Sequence, residues 1–432
     1  MRLANQVRDA ASAGPRAAVL SVNFFLIILA YYQIKPASRS LFIEHLGADQ
    51  LPYVWIGTAL LLGSLIGFYH QIVARYSRFR VVMATCVVSI VALMVFAPAL
   101  ETGEAATAAM FYIFVDIFGV VLVEQFWSLT NTVFNTREGK TWFGLVAVGG
   151  LFGGVVGGLL ATFLLEKMSM STTDLLFVAV AFLALITIIN MVMQRSRILD
   201  ELSIPRTAAV DGESLVALLR DRYVILIAAI LLLAQLAQPL VEFQFIKTVE
   251  YSFPILDERT SYLASFFALL GAVSIMVNLI ITPLIHRYLG VIAGMTVQPL
   301  VLGIASMFFM WSPTMVAGAI MKISDRGLSY SINRASKEQL YIPMEPVSTY
   351  QAKAWIDMLG YRLFKVVGSV IILAMTQWSL VPSSIVSISW VTLACCLVWL
   401  YAVFAISGRY YSFIAQPSPA TDAVGSGQEN NG

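Results

Sequence analysis

Lys322, Arg326, Ser329, Asn333 and Lys337 recur at spacings of four, three, four and four, so a helix carries them on one stripe. The segment around them, residues 314–343, is otherwise largely apolar. A cationic stripe turned to lipid is very unfavourable, so it is expected to line a water-filled cavity, with Asp325 beside it. The competing readings are a salt-bridge network between helices and, from Asn333 to Lys337, a helix end leaving the membrane. Asp357, Arg362 and Lys365 follow in the next apolar segment, and Arg362 and Lys365, three apart, are neighbours on one face. Lys35 and Arg39 are four apart near the end of the first apolar run. They either face the cavity or snorkel to headgroups. Asp116, Glu124 and Asn131 lie in the fourth run, and Glu242 in the seventh among Gln235, Gln238 and Gln244. Asp116 and Glu242 are candidates for ion pairs that break and reform as a cavity opens to each side in turn; Glu124 and Asp357 are further acids for such pairing. Basic groups outnumber acids there, which suits an anionic substrate, because a fixed cation in a low dielectric favours each anionic charge. Arg39, Asn131, Lys322, Arg326, Arg362 and Lys365 are the candidate substrate-binding residues.

Other chemistries have no residues to carry them. His45, His70 and His286 are far apart and make no metal-ligand pattern. No Ser/His/Asp or Cys/His constellation stands out, so no catalytic residue, metal or cofactor is expected. Cys86, Cys395 and Cys396 lie in apolar runs and suggest no disulfide framework. The run Gly149 to Gly158 (GGLFGGVVGG) has no Gly-Lys-Ser/Thr behind it, as a phosphate loop requires. Its glycines, four apart in two stripes, let helix backbones approach closely.

The elements that must position these residues follow from composition. Of 432 residues, 59% are hydrophobic and 12% charged, and the mean hydropathy is +0.81. A soluble globule has too much surface for so few polar groups, which excludes soluble enzymes and disordered chains. A net charge of +2 leaves no basic footprint for nucleic acid. Twelve apolar stretches can be drawn, near 17–43, 51–73, 81–100, 106–134, 142–165, 175–194, 223–246, 261–285, 290–311, 314–343, 350–378 and 383–407, most of them long enough for transmembrane helices. Alternating ten-residue strands of a barrel are absent. The first run is read as an uncleaved span rather than a signal peptide. With the N-terminus inside, the inner segments hold Arg2, Arg8, Arg16, Arg75, Arg78, Arg80, Arg137, Lys140, Arg195, Arg197, Arg206, Arg220, Arg222, Arg287, Arg334, Lys337, Lys353 and Arg409, eighteen in all. The outer ends hold five: Lys35, Arg39, Lys167, Lys247 and Arg259. Both termini are therefore expected in the cytoplasm. The longest polar connection divides the chain into residues 1–194, a linker at 195–222 and residues 223–411, followed by a tail at 412–432 whose composition predicts disorder. Six plus six spans around a basic linker is the plan of the major facilitator type, an all-α polytopic fold of two six-helix halves.

Two segments carry a closer likeness. EQFWSLTNTVFNTREGKTWFGLVAVGGLFGG (Glu124 to Gly154) and SKEQLYIPMEPVSTYQAKAWIDMLGYRLFKVVGS (Ser336 to Ser369) resemble segments of the ATP/ADP translocase family of nucleotide transporters, found in plastids and intracellular bacteria. YYQIKPASRSLFIEHLGADQLP in the first span is a weaker match. The resemblance implies exchange of nucleotides, commonly ATP for ADP, with a proton-driven mode in some members. It places the family's charged intramembrane positions on Arg39, Asp116, Glu242 and Lys365, with Arg for Lys and Asp for Glu at the first two. This chain departs from the family at Val366 and Val367, where Ser and Gly are usual, and in having Pro36 in the first span.

The leading expectation is a secondary transporter of a phosphate-bearing organic anion, with a nucleotide favoured. It would work by alternating access as a single chain in a bacterial cytoplasmic membrane. The alternatives are a proton-coupled major facilitator carrier for another solute (an amphipathic metabolite, a lipid or a drug), with Asp116 or Glu242 as the proton site, and a non-transporting membrane scaffold.

Overall fold

The computed structural model describes residues 2–134, 136–195, 221–342, 344, 353, 355–356, 360–378 and 384–415. Asp357 and most of the linker and tail lie outside them. All regular structure among the described residues is helical, in a short 3-10 turn at Ala48–Gln50 and twelve rods: α1 Arg2–Leu46, α2 Leu51–Arg75, α3 Arg78–Glu101, α4 Ala105–Val133, α5 Thr136–Lys167, α6 Asp174–Arg195, α7 Arg222–Ser252, α8 Leu256–Tyr288, α9 Gly290–Trp311, α10 Met315–Leu340, α11 Tyr361–Thr376 and α12 Ser387–Ala415. Among the described residues nine helices are long and apolar enough to cross a membrane. Chains of this composition become helices because lipid offers no partner for backbone N–H and C=O groups. Their outer faces carry Leu60, Val88, Val95, Leu159, Leu279 and Leu397, all more than half exposed, which is stable only against lipid. The protein is an integral membrane protein.

Local signals set several helix starts. Ser77 accepts from the Arg80 N–H, Asp221 from the Tyr223 N–H at 2.8 Å and Thr314 from the Ala317 N–H, each satisfying an otherwise unpaired helix donor.

The packing repeats with a shift of six helices. In the first half α1 packs on α4, α5 and α6, and α3 on α6. In the second, α7 packs on α10, α11 and α12, and α9 on α12. The contacts between halves obey the same relation, since α5 on α8 becomes α11 on α2. Close approach of α5 to α1 depends on its glycines. A Cβ on Gly153 would lie 2.5 Å from the Phe25 carbonyl oxygen, and one on Gly157 would lie 3.1 Å from Leu29 Cα. Both helices leave no room for a side chain there.

Two rods contain a π turn, Val277–Ile281 in α8 and Ser329–Asn333 in α10. The second corrects the expected cationic stripe. A π turn inserts one extra residue, so the positions facing inward after it move on by one. Lys322 and Arg326 line the cavity, followed by Tyr330, Arg334 and Glu338, in place of Ser329, Asn333 and Lys337. Lys337 instead donates to the Tyr361 hydroxyl at 3.0 Å.

Candidate functional site

A cavity of about 1030 Å³ lies between the halves. Six cations line it (Lys35, Arg39, Lys322, Arg326, Arg334 and Lys365) against three carboxylates, Asp116, Glu242 and Glu338. Tyr31, Tyr32, Trp55, Tyr112, Phe267 and Tyr330 supply aromatic wall.

Two ion pairs hold the cavity floor, and the six-helix shift relates them with signs inverted. Arg39 on α1 pairs with Asp116 on α4 at 2.5 Å, and Glu242 on α7 pairs with Lys322 on α10. Each α1/α7 member sits three residues after a proline inside its helix, Pro36 and Pro239. Proline removes one rung of the backbone ladder, yet α1 runs on through Pro36 to Leu46. Behind the second pair lies Asp325, 2% exposed, 3.6 Å from Lys322 Nζ and 3.8 Å from Arg326 Nε. Its backbone oxygen accepts from Gln298 of α9 at 2.9 Å.

Lys35, Lys365 and Arg334 have no carboxylate among the described residues within 4.0 Å; Arg334 is exposed, whereas Lys35 and Lys365 are half-buried. Lys365 Nζ sits 5.9 Å from the Trp55 ring, and Lys35 Nζ 4.3 Å from the Phe267 ring. Each ring belongs to the opposite half. Arg39 stacks at 4.6 Å over Tyr112, whose hydroxyl accepts from Trp55 Nε1 at 2.9 Å. These contacts fix cations in place while leaving charge available to an anion.

Lys35 does not snorkel to headgroups. It lies more than two helical turns below the end of α1, because the helix continues to Leu46. Arg362 is half-buried at the start of α11 and does not line the cavity; it lies one turn nearer the termini than Lys365. Glu124 and Asn131 are exposed on α4 and do not line it either, although Asp116, Val123 and Trp127 of that helix do. Asp357 lies outside the described residues. Val366 and Val367 are also absent from the lining, and Val367 is 39% exposed on the outer face. Sequence reasoning had no means to single out Trp55, Tyr112 and Phe267, because Trp55 meets Lys365 and Phe267 meets Lys35 only when the halves come together, and Tyr112 meets Arg39 only when α4 packs on α1.

The cavity is closed at the end away from the termini. There Arg259 of α8 donates to Glu44 Oε2 at 3.1 Å and to the Ser40 carbonyl at 3.2 Å. Lys247 reaches Asp49 at 2.9 Å, and the Thr172 hydroxyl donates to Asp257 at 2.6 Å. All three link the halves. Beneath them Phe42 and Tyr112 pack in one apolar cluster with Phe245 and Phe266. At the terminal end the bonds Arg16–Glu138, His286–Ser336 and Lys337–Tyr361 run within a half, and the cavity reaches Trp127, Phe143 and Glu338.

Known proteins resemble this chain in fold and in sequence. NupG, a nucleoside transporter, superposes with a TM-score of 0.62 over 93% of this chain and 100% of its own, at 13% identity. The POT family transporter PepTSo gives 0.64 over 93% and 99%, at 11% identity. These likenesses give the major facilitator fold alone. In sequence, the chain is 27% identical over 307 residues to ADP,ATP carrier protein 1 of Chlamydia trachomatis, covering 61% of this chain and 58% of that protein. It is 22% identical over 354 residues to ADP,ATP carrier protein 4 of Rickettsia conorii, covering 71% and 68%. The chain thus spans 58% of the length of the chlamydial relative. The family model for the TLC ATP/ADP transporter matches residues 100–315 and 310–410, a stretch that holds Asp116, Glu242, Lys322 and Lys365. With most of the chain matched in this way, it belongs to the TLC ATP/ADP transporter family.

Proposed function

We propose that this chain is a secondary transporter that moves a phosphate-bearing organic anion, with an adenine nucleotide such as ATP or ADP favoured, by alternating access. The observation that carries this reading is the pair Lys35 and Lys365, unpaired among the described residues, in a cavity whose cations outnumber its acids six to three. Both lysines are half-buried, a cation withdrawn from solvent without a counter-ion is costly, and a phosphate chain offers the missing charge. The volume and the aromatic wall suit a molecule with an apolar ring at one end. Asp116 and Glu242, Arg39, Lys322, Arg326 and Lys365 are the groups that would bind substrate or exchange partners during the cycle. The relatives' names as ADP,ATP carriers support the substrate class.

The same reading covers the surroundings. The excess of Lys and Arg at the terminal end supports a cytoplasmic location for both termini, and the bacterial relatives support a cytoplasmic membrane. The open end then faces the cytoplasm. The halves divide near 194 and 223, one chain is the working unit, lipid and a small anion are its partners, and the chain performs no catalysis.

The test is uptake into proteoliposomes of labelled ATP, ADP, AMP and adenosine, with and without internal nucleotide and with an imposed pH gradient. The expected result is uptake of the charged nucleotides that depends on internal nucleotide. Uptake of adenosine alone, or of no member of the panel, would sink the reading.

A further inference from the structure

Lys35 is not one of the family's charged positions carried over to this chain, and it has no ion pair among the described residues. Three rings surround its ammonium: Phe267 at 4.3 Å, Tyr32 at 5.1 Å and Tyr31 at 5.5 Å. The rings brace each other edge to face, Tyr31 with Tyr32 at 5.8 Å and Tyr32 with Phe267 at 6.5 Å.

The sequence builds this cage. Tyr31 is seated where α4 has Gly119; a Cβ there would lie 2.6 Å from the Tyr31 ring. Tyr32 is seated against Gly154 and Gly157 of α5, where added Cβ atoms would lie 3.2 Å from its ring and 2.9 Å from its Cβ. Gly157 is also held by α1, since Gln33 Nε2 donates to its carbonyl oxygen at 2.9 Å. The third wall, Phe267, comes from α8 of the other half.

We propose that Lys35 in this cage is a specificity-determining residue that reads the number of charges on the substrate's phosphate chain. This rests on the phosphate-bearing substrate proposed above. Aromatic faces hold an ammonium in position without neutralising it. An approaching phosphate oxygen then gains a charge-assisted bond that outweighs the ring contacts. Arg39 and Lys322 lack this freedom, because each already holds a carboxylate. On this assignment a longer phosphate chain satisfies Lys35 as well as Lys365, whereas a monophosphate leaves one of them to its aromatic contacts. The cage also couples charge reading to conformation, because separating the halves at the closed end withdraws Phe267.

The experiment measures binding to the full chain in detergent for AMP, ADP and ATP, and for phosphate, pyrophosphate and tripolyphosphate. The wild type is compared with Lys35→Gln and Lys35→Arg at matched folded fraction. The expected wild-type order is rising affinity with chain length in both series. Lys35→Gln should lose about tenfold or more for ATP and tripolyphosphate but about threefold or less for AMP and phosphate. Lys35→Arg should recover most of the discrimination. An equal loss across each series, or no loss, would overturn the assignment and leave Lys35 a packing residue. If the wild type binds the polyphosphates with this lysine-dependent slope but no nucleotide, the nucleotide reading fails and the charge-reading role stands. If it binds no member of either series, both fail.

Discussion

At the scale of single residues, the two cavity-floor pairs are tied to stability more tightly than a surface bridge would be. Lys322 is almost wholly buried, 1% exposed, between Glu242 and Asp325. Removing one charge strands the other in a low dielectric, which costs about 3–5 kcal/mol, whereas replacing both with apolar groups is often near neutral. Glu242→Gln should therefore lower the unfolding temperature in detergent markedly, and Glu242→Leu with Lys322→Met and Asp325→Asn, which removes the whole buried cluster around Lys322, should restore most of it while leaving substrate binding lost. Equal stability of the single and the combined variants would show that the cluster is not held as described. The sequence made Arg39, Asp116, Glu242 and Lys322 legible because intramembrane charges are few. It could not give their partners, since Arg39 and Asp116 lie 77 positions apart. Nor could it separate Lys365, which faces the cavity, from Arg362 one turn away.

At the scale of elements, hydropathy locates most rods, because a bilayer demands about 20 apolar residues per span. It places α5 at 142–165 where the helix runs Thr136–Lys167, since the polar first turn does not register as span. The facing of α10 was less legible. A regular 3.6-residue repeat cannot anticipate the π turn at Ser329–Asn333, so every position past it was assigned to the wrong neighbour. The glycine stripes were legible as close packing, and the contact with α1 bears directly on stability. Gly153→Leu drives a side chain into the Phe25 carbonyl oxygen. Overpacking of this kind costs about 1–3 kcal/mol or more, so the variant should show a clear drop in folded yield. Gly63→Ala on α2 meets nothing within 4 Å and should stabilise by up to about 1 kcal/mol, as an exposed helical glycine does. Thermal unfolding of the two variants side by side decides the point. A tolerated leucine at 153 would mean that α1 and α5 are further apart than described.

At the scale of the whole molecule, the proposed alternating access requires that the closed end open, where polar links lie over the apolar cluster of Phe42, Tyr112, Phe245 and Phe266. Arg259 is central. It is 4% exposed, and its guanidinium also donates to the Phe253 and Pro254 carbonyl oxygens at 2.9 Å within its own half. It is thus pre-shaped by one half to grip Glu44 and Ser40 of the other. Glu44 is itself 39% exposed, so solvent screens that pair and the link is weak enough to break in a working cycle. Arg259→Ala should shift the equilibrium toward opening at this end; a change of about 1.4 kcal/mol moves the ratio of states tenfold. Ser40, fully buried beneath the link, is a near-isosteric place for a reporter cysteine, in a background with the buried Cys86, Cys395 and Cys396 replaced. Labelling of Ser40→Cys by an impermeant thiol reagent, applied outside intact cells, should be slow alone and about tenfold faster with Arg259→Ala. Reporters at Glu101, on the closed end, and Arg80, on the terminal end, should label and stay unlabelled respectively in both backgrounds, which checks the orientation independently. If Arg259→Ala leaves the Ser40→Cys rate unchanged while Glu101→Cys labels normally, the apolar cluster of Phe42, Tyr112, Phe245 and Phe266 holds the end shut without the ion pair, and the polar link is incidental to gating.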